Sequence, residues 1–232
     1  MQHYLKLITE LLMFLLVSVI LVGCAKDNFV PLIKDFQERG TGKVVECSKE
    51  NIDYFYSEGS VISLPASVMR KSSNKPWEAL PVNPNPLPTS KVKDIGILDL
   101  VVNPENCNEV YVVTEQAEAY KTRNGGKLWE NIYVWEKIYE IPPENRQGRS
   151  LGWGITSINP KNIKHLVIGF NVPIHSEKTS PRFFESFDGG QSFLPCELGS
   201  VNQSVKDFKS IEYEETSKLT HDDVFETWQC FR

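Results

Sequence analysis

In this 232-residue chain, few side chains stand where they could do chemistry. Asp99, Glu118 and Glu185 are the carboxylates that could pair for acid–base work; glycosidic catalysis needs two of them roughly 5 to 10 Å apart. Each reads more simply as polarity at a strand edge. The histidines His3, His165, His175 and His221 are scattered. His221-Asp222-Asp223 could hold a cation, although a solvated loop is the simpler reading. No Gly-x-Ser-x-Gly elbow supports a serine nucleophile. The pairs Gly125-Gly126 and Gly189-Gly190 sit in hairpin contexts rather than phosphate loops. The five cysteines form no Cys-x-x-Cys and no zinc spacing. These residues predict neither a metal nor a cofactor.

What must position them is β structure. Val, Ile, Tyr, Phe and Trp are common beyond the first 25 residues, and 14 Gly with 14 Pro suit many turns. With 25 Lys+Arg against 30 Asp+Glu the net charge is −5, so the chain lacks the basic face that nucleic acid requires.

The first residues read as an address. Leu11 to Val22 is an uncharged apolar run of 12 residues, short of the about 20 needed to span a bilayer and of h-region length. Lys6 is the fixed positive charge before it, and Glu10 borders it. Leu21-Val22-Gly23-Cys24 resembles the bacterial lipobox. The resemblance implies a signal peptide over 1–23, cleavage before Cys24 and lipid attachment to its thiol. Two or more acyl chains anchor stably where one is marginal. Ala25 after the cysteine implies outer-membrane sorting in a diderm cell. The remaining Cys47, Cys107, Cys196 and Cys230 would then meet an oxidising compartment, where two disulfides are expected; three pairings are open.

The mature chain repeats. Asp99 to Val113, with Asn103-Pro104, leads to Thr122-Arg-Asn124-Gly-Gly126-Lys-Leu-Trp129. Ile155 to Gly169, with Asn159-Pro160, leads to Ser186-Phe-Asp188-Gly-Gly190-Gln-Ser-Phe193. The Asn-Pro pairs lie 56 residues apart and the closing aromatics 64 apart. Each copy predicts strand, turn, strand, connection, strand, Gly-Gly turn and aromatic, hence one four-stranded sheet per repeat. The carboxylate or amide should accept N–H groups across the turn, glycine should take positive φ, and the aromatic should fill the gap between sheets. A third, worn copy is expected at Arg70-Lys-Ser72-Ser-Asn74-Lys-Pro-Trp77, aligned with Arg70 over Thr122, Ser72 over Asn124 and Asn74 over Gly126. Val44-Val45 and Val61 to Leu64 would be its strands. Pro76 to Pro88 predicts an extended crossing between sheets. Ser217 to Thr227 is expected to include a short helix, the alternative being that Val224-Phe225 and Trp228 to Phe231 pack instead as a strand.

The pattern at Thr122, Asn124, Gly126 and Trp129, and at Ser186, Asp188, Gly190 and Phe193, resembles the Asp-box, or bacterial neuraminidase repeat. The resemblance extends to sialidase-like, sortilin-like and photosystem II assembly-factor-like β-propellers. It implies an all-β fold of four-stranded antiparallel blades, a propeller that is small or incomplete, with blades near 41–80, 95–132 and 153–198. Residues 24–40 would be a tether, 41–200 the repeat domain and 201–232 a charged tail that closes or begins a blade. Members include glycosidases, receptors and assembly chaperones, and the box itself lies away from their catalytic pockets.

The sialidase-like Phe/Tyr-Arg-Ile-Pro motif does not occur, and arginines are few. A non-catalytic binding or assembly scaffold in the bacterial cell envelope is therefore the expected function. A glycoside hydrolase, or a truncated remnant of one, is the alternative. Loops at 133–154 and 171–182 would present Tyr133, Trp135, Tyr139, Arg146, Arg149 and Trp153 to a protein or a cell-surface glycan. The competing reading packs these aromatics between blades.

Overall fold

A computed structural model describes residues 33–34, 37–38, 42–57, 68–82, 96–115, 117–134, 154–174, 178–200, 219, 221 and 223–231. The rows of β-branched and aromatic residues form three antiparallel sheets in chain order. The first joins β1 (Gly42–Cys47), β2 (Ile52–Ser57), β3 (Val68–Ser72) and β4 (Glu78–Ala79) in that order. The second joins β5 (Ile97–Val102), β6 (Val110–Thr114), β7 (Glu118–Thr122) and β8 (Glu130–Val134). The third joins β9 (Gly154–Asn159), β10 (Asn162–Ile174), β11 (Lys178–Ser186) and β12 (Leu194–Ser200). A four-residue helix α1 (Asp223–Glu226) leads into β13 (Trp228–Phe231), which adds a fifth strand beside β12. The chain is all-β and propeller-like, with each repeat folding into one blade.

Val44-Val45 lies in β1, whereas Val61 to Leu64 lies outside the described residues. Asn103 and Asn159 make the same turn, each side chain accepting the N–H two residues on, at 2.9 Å from Glu105 and from Lys161. The expected loop at 171–182 is corrected. Asn171 pairs with Pro181 and Ile174 with Lys178, so β10 and β11 continue as a long hairpin through most of it.

The core is made between the sheets. Tyr54, Tyr56, Val68, Leu80 and Val82 of the first pack on Leu100, Val102, Val110, Val112 and Trp129 of the second. Leu98, Val113 and Ala119 of the second meet Ile168 and Phe170 of the third. Residues outside the repeats pack on both outer faces, in part on the first and more fully on the third. Ile33 packs on Phe55 and Met69, while Val224, Phe225 and Trp228 lie over Ile155, Val167, Phe183 and Leu198. Two disulfides fix this arrangement among the three pairings left open by sequence. Cys47–Cys107 staples the first sheet to the second, and Cys196–Cys230 ties the tail to the third. Closing chains of 60 and 34 residues stabilises by about 4 kcal/mol each in the loop-entropy picture.

Candidate functional site

The Gly-Gly corners are built alike. Thr122 Oγ1 accepts the Gly126 N–H at 3.0 Å, and Asn124 Oδ1 accepts that of Leu128 at 2.9 Å. In the third sheet Ser186 Oγ accepts the Gly190 N–H at 2.9 Å, and Asp188 Oδ1 accepts those of Gln191 and Ser192 at 2.8 and 2.9 Å. Hydrogen bonds from Ser192, side chain and backbone, hold the Asp188 carboxyl well below the usual range. Gly126 and Gly190 have φ of 89° and 83°, a region that costs other residues about 1 to 2 kcal/mol. Trp129 packs toward the first sheet and Phe193 toward the second.

The third corner follows the same plan with one residue fewer. Ser73 N–H donates to the Asn51 carbonyl at 3.1 Å, as Gly125 does to Asn108 and Gly189 to Lys164, both at 2.9 Å. Asn74 takes the left-handed φ of 56° expected of it. The strand alignment needs correcting, however. Arg70 pairs with Glu78 as Lys121 pairs with Glu130, so Arg70 is the equivalent of Lys121 rather than of Thr122. The shorter corner absorbs the difference. It closes by the Lys75 N–H donating to the Ser72 carbonyl at 2.9 Å.

That equivalence exposes a repeated clip between sheets. Lys121, 4% exposed, donates to the Gly189 carbonyl at 3.0 Å and to Tyr111 Oη at 2.6 Å, and it pairs with Glu109 at 2.8 Å. Burial alone would raise the Glu109 pKa, but the bonds from Lys121 and Tyr111 outweigh it and leave the carboxyl below its ordinary range. One sheet earlier, Arg70 Nη2 donates to Asn108 Oδ1 at 2.9 Å, and Tyr54 Oη donates to the Cys107 carbonyl at 2.8 Å. Burial pushes the Tyr54 hydroxyl up to about 12, so it stays a donor at any ordinary pH. In the third sheet the charges are exchanged. Glu185 stands at the Lys121 position and pairs with His165 Nε2 at 2.7 Å. His165 stacks on Phe187 and meets Phe225 of α1 edge-on.

The carboxylates expected at strand edges are instead interior. Asp99, Glu118 and Glu185 are 5%, 8% and 7% exposed. Asp99 joins all parts of the molecule. Its Oδ1 accepts Tyr56 Oη–H of the first sheet at 3.0 Å, and its Oδ2 accepts the Thr156 N–H of the third at 2.8 Å. The same Oδ2 pairs with His221 Nε2 at 2.8 Å. The His221 ring thus bonds an interior carboxylate while about a third of its side chain stays in solvent. Its carbonyl also accepts the Ser157 hydroxyl at 2.6 Å. Glu118 accepts Tyr120 Oη–H at 2.6 Å, and its desolvation raises the carboxyl pKa. Sequence could not find the Asp99 junction, because its partners are 43, 57 and 122 residues away.

Tyr133 is half-buried between sheets, with ring centroids 4.5 Å from Phe184, 5.6 Å from Phe193 and 6.2 Å from Phe170. It packs blade to blade. Trp135, Tyr139, Arg146, Arg149, Trp153 and Cys24 lie outside the described residues. Among the described residues no cluster of three or more His, Cys, Asp or Glu is placed to hold a metal ion, and no helix is long and apolar enough to cross a membrane.

Fold and corners thus define, among the described residues, three propeller-like blades, each locked to the next by a clip and a corner. No family model and no curated protein matches the sequence. Among solved structures it is similar to YCF48 bound to D1 peptide, with 12% identity and a TM-score of 0.36 over 67% of this chain and 44% of that one. It is also similar to a GH74 enzyme of Niastella koreensis, at 12% identity and a TM-score of 0.30 over 63% of this chain and 27% of that one. A GH74 xyloglucanase of Xanthomonas campestris gives 13% identity and a TM-score of 0.30 over 66% and 29%. The chain spans less than half the length of each of these three.

Proposed function

We propose that the chain is a lipid-anchored lipoprotein of the bacterial cell envelope that acts as a non-catalytic binding or assembly scaffold. The observation that carries this reading is the use made of Asp99, Glu118 and Glu185. Each is buried and already bonded, Asp99 to the first and third sheets, Glu118 to Tyr120 of its own strand and Glu185 to His165 of its own sheet, so each is engaged inside the fold rather than facing a substrate. Two disulfides suit an exported protein. The partner is a protein or a cell-surface glycan, met by the surfaces that a rigid β framework holds in place.

The purified protein, given a panel of fluorogenic glycosides, should release no fluorophore, and crosslinking in intact cells should recover one specific partner. Turnover of any glycoside in the panel would overturn the scaffold reading in favour of a hydrolase. For the anchor, Cys24→Ser should move the protein from the membrane to the soluble fraction. Unchanged membrane retention would refute lipid attachment.

A further inference from the structure

The three sheets carry the same row of positions where the second-strand turn meets the corner. In the second sheet the row is Val102, Val110 and Thr122, in register across β5, β6 and β7. In the third it is Ile158, Leu166 and Ser186 across β9, β10 and β11. All six are buried, and Val102, Val110, Ile158 and Leu166 pack on residues of the preceding sheet. In the first sheet the row is Glu46, Asp53 and Lys71, in register across β1, β2 and β3. Glu46 is exposed, and Asp53 and Lys71 are half-buried. A row that is apolar or hydroxyl-bearing in two repeats is charged in the third.

The charged row lines an open cavity of about 420 Å³, together with Ser48, Asn51, Ser73 and Asn74. Its other wall is the shortened corner. At the matching corners a basic side chain from the preceding sheet is seated. A Cβ on Gly125 would come within 2.9 Å of the Arg70 guanidinium carbon, and Lys121 Nζ would lie 3.7 Å from one on Gly189. Ser73 is the first sheet's counterpart of both glycines, since it makes the same bond to a turn carbonyl. Lys71 Nζ lies 6.0 Å from the centre of the Trp77 ring, at the margin. With two carboxylates and one ammonium, the lining has a net charge of −1.

We propose that this cavity is a socket for a basic side chain, an arginine or lysine presented by a partner protein, seated as Arg70 and Lys121 are seated on the next two corners. The guanidinium or ammonium would lie on the Ser73–Asn74 corner, with Glu46 and Asp53 accepting its N–H groups. This deepens the scaffold reading by naming the chemistry its partner must offer.

The test uses the full chain with both disulfides formed and N-acetyl-arginine amide as the probe. A single exposed ion pair contributes little, so binding on the order of tens to hundreds of millimolar is expected. Titration followed by amide resonances should give saturable shifts at Asn51, Asp53, Ser73 and Asn74. The neutral analogue N-acetyl-citrulline amide should bind about two- to fivefold more weakly. Asp53→Lys should abolish the shifts while melting temperature and the Gly125 and Gly189 resonances stay unchanged. No saturable shift, equal binding of citrulline, or undiminished binding by Asp53→Lys would overturn the socket. Glycoside turnover in a chain that still seats arginine would remove the scaffold reading and leave the socket standing.

Discussion

Two acids titrate against opposite backgrounds. Burial raises the Glu118 carboxyl, so its contribution to stability is complete below the unfolded value of about 4.3 and is lost as pH rises through the folded one. Glu118→Gln should therefore gain stability over the parent at pH 7 and match it at pH 3, as read from urea midpoints. Asp188 has the reverse sign. Its bonds to Ser192 and Ser186 lower the carboxyl, so its contribution is present above the unfolded value of about 3.9 and fades as pH falls toward the folded one. Asp188→Asn should be less stable than the parent at neutral pH, with the gap closing in acid. Solvent screening keeps that gap small. Both acids were visible in the sequence, but only Asp188 disclosed its task there. A clamp across four residues is local, whereas the burial of Glu118 depends on sheets that meet late in the chain.

At the scale of the element, the corners separate two costs that glycine avoids. A Cβ on Gly126, at φ 89°, would lie 2.4 Å from Leu80 Cδ1 of the first sheet. Gly189, at φ 74°, has only Lys121 Nζ near it, at 3.7 Å. Gly189→Ala should then cost about 1 to 2 kcal/mol, from backbone strain alone. Gly126→Ala should exceed it by a further 1 to 3 kcal/mol or so from overpacking; chemical denaturation of the two variants would check the order. The strands around the corners were legible because Asn-Pro, Gly-Gly and aromatic residues recur at matched distances. The clips were not. Arg70 and Lys121 become equivalent only once the worn corner is known to be one residue shorter, and a gap of one residue reverses every face of a strand. Val224 in α1 shows the same limit, since a four-residue helix has no period to read, yet it is 1% exposed.

For the molecule as a whole, the tail covers the outer face of the third sheet with Val224, Phe225 and Trp228, held by Cys196–Cys230 and by the His221–Asp99 pair. A chain ending at Lys218 should bare Ile155, Val167, Phe183 and Leu198. It should bind 1-anilinonaphthalene-8-sulfonate more strongly than the parent and fall faster to proteases. Unchanged dye binding would show that the tail is not the cover. Beneath that cover, Glu185 stands where the other two sheets carry Arg70 and Lys121. Head-to-tail contacts that do not close are how folded proteins string into filaments; with Glu185 bonded to His165, this end lacks the basic side chain by which Arg70 and Lys121 each reach the following sheet.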